Sequence, residues 1–144
     1  MAEKLSSAKK QFLLVDRDGV INEYRPGEYV SSVGDFEFIP GVLDALRLLR
    51  ERSWGVIVIS NQGGVGKGLL AREILDEITG HMIATVADSG GMIDDVFYCV
   101  HDPSANCSCR KPRAGMIFEA AHKHDFDIPS TWFVGDSEVD IGSA

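Results

Sequence analysis

Apolar residues along this chain form short, β-branched runs that alternate with longer stretches of helical period. Phe12-Leu13-Leu14-Val15 is a four-residue run ending in acid and glycine, the pattern of a strand buried on both faces. Over residues 41–52, Val42, Leu43, Ala45, Leu46, Leu48 and Leu49 recur at the spacing of an amphipathic helix. Val56-Ile57-Val58-Ile59 predicts a second strand that stops at Ser60-Asn61-Gln62-Gly63-Gly64. Ile74, Leu75, Ile78, Met82 and Val86 predict a helix over about 71–87. Residues 96–100 read as a third strand, 114–124 as a third helix, and Trp132-Phe133-Val134 as a fourth strand. This alternation predicts the α/β class: a parallel sheet with helices on both faces, a Rossmann-like three-layer sandwich.

Composition adds constraints. A chain of 144 residues suits one domain, expected over residues 11–144, behind a loose, disordered tail at 1–10. The start, MAEKLSSAKKQ, lacks the apolar stretch of a secretory signal, and no apolar run reaches the ~20 residues of a membrane helix. A soluble, cytoplasmic, monomeric protein is expected. The net charge of −8 argues against a nucleic-acid-binding surface. Three cysteines lie between Cys99 and Cys109, an odd number that points to metal rather than disulfides.

The polar residues fall where a parallel sheet presents its ligand-binding edge. Asp16 and Asp18, Ser60 and Asn61, Cys99 and His101, and Asp136 each sit at or just past the carboxyl end of a predicted strand. Asp16 and Asp18, two apart on extended chain, point the same way, and Gly19 permits a sharp turn. Carboxylates this close need a cation or a shared proton. Asp136 could add a hard oxygen, a donor set that suits magnesium. An EF-hand reading fails, because later ligand positions are unfilled. Ser60 and Asn61 offer a hydroxyl, an amide and backbone N–H groups to a phosphate oxygen, and Lys111 offers a compact cation. A P-loop around Gly66-Lys67 fails, since Asn61 and Gly68 occupy positions that need glycine and Ser/Thr. Cys99-x-His101 and Cys107-x-Cys109 make a complete four-ligand set for a structural zinc, in a loop ending on Arg110-Lys111. Zinc would fold that loop and fix both cations. His81, His122 and His124 are expected away from the strand ends, without a role.

In order and context, Asp16-x-Asp18-Gly19-Val20, Ser60-Asn61, Lys111 and Gly135-Asp136-Ser137-x-x-Asp140 resemble the four motifs of haloacid dehalogenase-superfamily phosphatases. The Cys-x-His…Cys-x-Cys-Arg-Lys-Pro segment resembles the zinc-containing branch that holds the D-glycero-D-manno-heptose-1,7-bisphosphate 7-phosphatases and the histidinol-phosphate phosphatases. The resemblance implies Asp16 as nucleophile and Asp18 as acid and base, with magnesium on Asp16, the Asp18 carbonyl and Asp136. Ser60 and Lys111 would hold the phosphoryl oxygens and Arg110 would contact the rest of the substrate, with Asn61 and Gln62 completing the expected substrate- and phosphate-binding set. It also implies a small phosphorylated sugar as partner, within heptose and lipopolysaccharide biosynthesis. Asp35-Phe36-Glu37-Phe38-Ile39-Pro40-Gly41-Val42 and the run from Ser60 to Gly68 favour the heptose enzymes, whereas the five-residue gap before Cys107 resembles the histidinol-phosphate enzymes. No large cap domain is encoded, so loops near Tyr24, Tyr29 and 103–106 are expected to shape specificity.

The family continues beyond its fourth motif, so a C-terminally truncated domain lacking its last strand or strands is expected here. A dehalogenase on this fold would have no use for Asp18, which has a leaving alkoxide to protonate only in a phosphatase. A non-enzymatic zinc-binding module would need neither Asp16 nor Asp18.

Overall fold

The computed structural model describes residues 10–24 and 28–135. The expected tail, the Arg25–Gly27 segment, Asp136 and the chain end lie outside the described residues. β1 (Phe12–Val15), β2 (Gly55–Asn61), β3 (Asp95–Cys99) and β4 (Trp132–Val134) form one parallel sheet in the order β3-β2-β1-β4. β1 is flanked in register, Val15 lying opposite Val58 on one side and Val134 on the other. α1 (Val42–Glu51), α2 (Arg72–Asp88) and α3 (Gly115–His124) connect the strands.

The period-2 alternation of the buried strands feeds two cores. Val15, Val56 and Val58 face α1 and α2, meeting Leu46, Ile78, Met82 and Val86. Leu14, Ile57 and Ile59 face the other way, onto Met116, Ile117 and Ala120 of α3. Both faces of β2 are thus covered, which explains its unbroken apolar run. Each such side chain contributes roughly 1.5–3 kcal/mol by leaving water. This is the expected three-layer α/β architecture, and no large cap domain interrupts the described residues.

The element bounds match the apolar pattern to within a residue or two. β2 runs further than expected, because Asn61 continues the ladder opposite Cys99. None of the three α-helices begins on a side-chain cap; their first residues follow Gly41, Ala71 and Ala114. Among the described residues no helix is long and apolar enough to cross a membrane.

Candidate active site and metal centre

The carboxyl ends of β1, β2 and β4 and the segment after β3 converge on one rim. β1 delivers Asp16, whose N–H donates to the Val134 carbonyl at 3.0 Å, so the tips of the first and fourth strands are adjacent. Past Asp18, Gly19 takes φ = 86°, a left-handed conformation costly for other residues, and lets Ile21 and Asn22 turn back onto the Arg17 carbonyl.

The two carboxylates are held separately. Asp16 is 8% exposed, and its Oδ1 accepts from the Arg17 N–H at 2.8 Å and lies 3.2 Å from the Lys111 ammonium. Lys111 is itself 3% exposed, donates to the Ile59 carbonyl at 3.1 Å and lies over the Phe133 ring. Asp18 Oδ1 accepts from Arg17 Nε (3.2 Å), Arg17 Nη2 (2.9 Å) and Asn22 Nδ2 (3.0 Å). Its Oδ2 accepts from Gln62 Nε2 at 3.0 Å, a nitrogen that also reaches Ser60 Oγ at 3.1 Å. Asp18 and Tyr98 hold the Arg17 pKa above its ordinary value, outweighing the burial that opposes its charge.

Asn61 clamps Lys111 across 50 positions of sequence. Its Oδ1 accepts from the Lys111 N–H at 2.9 Å, and its Nδ2 donates to the Lys111 carbonyl at 3.2 Å. The side-chain amide expected to reach toward phosphate is thus engaged with backbone, fixing the lysine that reaches Asp16. Sequence reasoning missed Arg17 and Asn22. The signal for Arg17 was strand alternation: a charge between two residues on one face points to the opposite, packed face.

The Cys/His loop gathers as its spacing implied. Cys99 Sγ lies 2.8 Å from Cys109 Sγ and 3.4 Å from Cys107 Sγ, and His101 Nδ1 lies 3.1 Å from Cys109 Sγ. All four donor atoms lie within 4.8 Å of one another, a set suited to tetrahedral zinc with bonds of about 2.0–2.3 Å. Burial, with hydrogen bonding to the other thiols, pushes Cys99 up to about 12. Burial acts the same way on Cys107, but hydrogen bonds from the Arg110 backbone and neighbouring thiols bring it down to about 6. The residue after that hydrogen-bonded N–H is Lys111, so the loop and the lysine are covalently and geometrically continuous. Arg113 braces the loop through the Cys107 carbonyl and Asn106 Oδ1. Gly66 packs so closely on the 100–102 backbone that a Cβ would lie 2.3 Å from the Asp102 nitrogen.

The rest of the rim is short loops. Tyr29 lies against Gly64 and accepts from Lys67 at 3.0 Å. Glu23, Tyr24, Tyr29 and Glu37 border a cavity of about 440 Å³. Arg110 lies in the loop, its Nη1 buried without a hydrogen-bond partner among the described residues. His124 pairs with Asp95 at 2.8 Å, and His81 packs on Phe36 and Phe38; neither belongs to the rim.

Comparison with known proteins identifies the family and the fold. Residues 12–140 match the family described as polynucleotide kinase 3 phosphatase. A Pseudomonas putida D-glycero-beta-D-manno-heptose-1,7-bisphosphate 7-phosphatase is 37% identical over 134 residues, covering 93% of this chain and 76% of the relative. The Pseudomonas aeruginosa enzyme of that name is 33% identical, covering 94% and 75%. Among solved structures, the D,D-heptose 1,7-bisphosphate phosphatase of B. bronchiseptica, complexed with magnesium and phosphate, superposes with a TM-score of 0.89 at 35% identity, over 93% of this chain and 74% of that one. This chain belongs to the polynucleotide kinase 3 phosphatase family, in the heptose bisphosphate phosphatase branch of the haloacid dehalogenase fold, and is a phosphoric monoester hydrolase.

Proposed function

We propose that this enzyme removes the 7-phosphate of D-glycero-β-D-manno-heptose 1,7-bisphosphate through a phosphoryl group carried on Asp16. The observation that carries the mechanism is the separate pairing of two adjacent carboxylates, Asp16 with Lys111 and Asp18 with Arg17. The names of the Pseudomonas relatives support the substrate.

Asp16 attacks phosphorus in line with the leaving oxygen, forming an O–P bond as the ester O–P bond breaks. Asp18 gives its proton to the departing alkoxide, then takes one from the water that attacks the acyl phosphate and returns Asp16 to carboxylate. Lys111 holds a phosphoryl oxygen and offsets the charge that builds there, an effect worth about 3–4 kcal/mol for a well-placed donor. Ser60 orients a second oxygen, and Asn61 and Gln62 fix Lys111 and Asp18. Arg110 contacts the part of the substrate outside the reacting phosphate, and the loops bearing Tyr24 and Tyr29 shape specificity.

The hard oxygen donors fit magnesium, held by Asp16, the Asp18 carbonyl and Asp136. When bound, the ion supplies positive charge that offsets repulsion between a carboxylate and an anionic phosphate. That the B. bronchiseptica relative is complexed with magnesium and phosphate supports this assignment. The four-ligand set of Cys99, His101, Cys107 and Cys109 leaves no open position, so its zinc has a structural role.

Phosphate release across a panel tests the assignment: both anomers of heptose 1,7-bisphosphate, histidinol phosphate and a 3′-phosphorylated oligonucleotide. The β-anomer should show the highest kcat/KM. A preference for histidinol phosphate or the oligonucleotide would overturn the substrate while leaving the mechanism standing.

A further inference from the structure

We infer that Arg17 is a positioning residue for proton transfer: it locks Asp18 by one carboxylate oxygen and thereby assigns the other, Oδ2, as the oxygen that exchanges the proton. This rests on the reading of Asp18 as acid and base.

Arg17 is 1% exposed. Its guanidinium carbon lies 5.7 Å from the ring centres of both Phe36 and Tyr98, so the fork is flanked by two aromatic rings. Nε and Nη2 both reach Asp18 Oδ1, while Nη1 reaches Tyr98 Oη at 3.4 Å. Thr79 Oγ1 on α2 donates its proton to the Leu75 carbonyl at 2.8 Å. The 3.0 Å contact between Tyr98 Oη and Thr79 Oγ1 therefore has Tyr98 as donor. The hydrogen bonds run one way, from Arg17 through Tyr98 and Thr79 to Leu75, and tie the guanidinium to β3 and α2.

A purely structural filler at this position would be apolar. Desolvating a guanidinium costs several kcal/mol, and a hydrophobic side chain of similar volume often stabilises a core as well or better. What a hydrophobe cannot do is fix the direction of a carboxylate. With Asn22, Arg17 places three donors on Oδ1, an arrangement that disfavours a proton there. Oδ2 accepts from Gln62 Nε2. In the first step the Oδ2–H bond breaks and the proton goes to the ester oxygen as it leaves phosphorus. In the second, Oδ2 takes a proton from water as the water oxygen bonds to phosphorus and the Asp16–phosphorus bond breaks.

The test exploits leaving groups. A sugar alkoxide needs Asp18's proton in the first step, whereas 4-nitrophenolate does not. Arg17→Met should lower kcat on heptose 1,7-bisphosphate about 10²-fold, the scale of a misplacement near 1 Å, with KM changed less than threefold. On 4-nitrophenyl phosphate the same variant should release nitrophenolate in a near-wild-type burst and then stall, because only the second step needs Asp18. Arg17→Lys should recover part of the loss, and Arg17→Met added to Asp18→Asn should cost less than a further threefold. Tyr98→Phe keeps the ring, breaks the hydrogen-bonded chain and should show the same pattern at about three- to tenfold. If Asp18→Asn itself gives no burst and stall, the reading of Asp18 fails. If Asp18→Asn does so while folded Arg17→Met turns over both substrates alike, the inference about Arg17 fails. Should Arg17→Met not fold, unchanged turnover by Tyr98→Phe overturns it.

Discussion

The carboxylate tip and the Cys/His loop meet at Lys111, yet they are held together by different means. The tip is built by the sheet: Asp16, Arg17, Ser60, Gln62 and Lys111 are all buried, and they bond to one another or to strand carbonyls. The loop has little core of its own. Cys99 is buried at the end of β3, but residues 104–106 are exposed, and much of what gathers the segment is four metal-type ligands and the brace from Arg113. Under the zinc assignment proposed above, chemistry would be supported by packing on one side of Lys111 and by ligation on the other. Perturbing the first should cost turnover, and perturbing the second should first cost order in the loop.

The largest expected effect is at the tip. Asp16→Asn should lower turnover by on the order of 10⁴-fold or more, the scale seen when a covalent nucleophile is removed, while circular dichroism still reports a folded protein. Near-native rates would show that the buried tip does not supply the nucleophile. Lys111→Met should follow, with kcat down about 10²- to 10³-fold and a smaller change in KM, measured by steady-state phosphate release.

Both effects were readable from sequence. Asp16 and Ser60 could be placed on one rim because an apolar run, a polar stop and the strand-end rule locate them without any long-range partner, and Lys111 entered as the cation on which the Cys/His loop ends. Asn61 was only half readable. Its position at the end of β2 was legible, but its bonding to the Lys111 backbone depends on a loop 50 residues away that no local pattern announces. Arg17 was overlooked as the residue between two aspartates, although alternation sent it into the core. The helix starts were legible only to within a residue, since Gly41, Ala71 and Ala114 give no capping signal.

Cys109→Ser, or treatment with a zinc chelator, should open residues 99–110 to limited proteolysis while far-UV circular dichroism keeps most of its amplitude. Activity should fall with loop cleavage, because Lys111 leaves the Asn61 clamp. A chelated protein that retains full activity and an uncut loop would show that ligation does not hold Lys111. The smallest effect is expected at Arg113→Ala, which removes exposed hydrogen bonds to a backbone carbonyl and an amide oxygen, worth about 1 kcal/mol net. Its thermal midpoint should drop by only a few degrees, with faster cleavage near Asn106 and little change in KM.

Whether Asp16 carries the phosphoryl group can be read by acid-quench mass spectrometry of the Asp18→Asn variant turning over 4-nitrophenyl phosphate. The leaving group needs no proton and the second step lacks its base, so one phosphoryl group per chain should accumulate on the peptide containing Asp16. Nitrophenolate release with that peptide left unmodified would rule out Asp16 as the carrier.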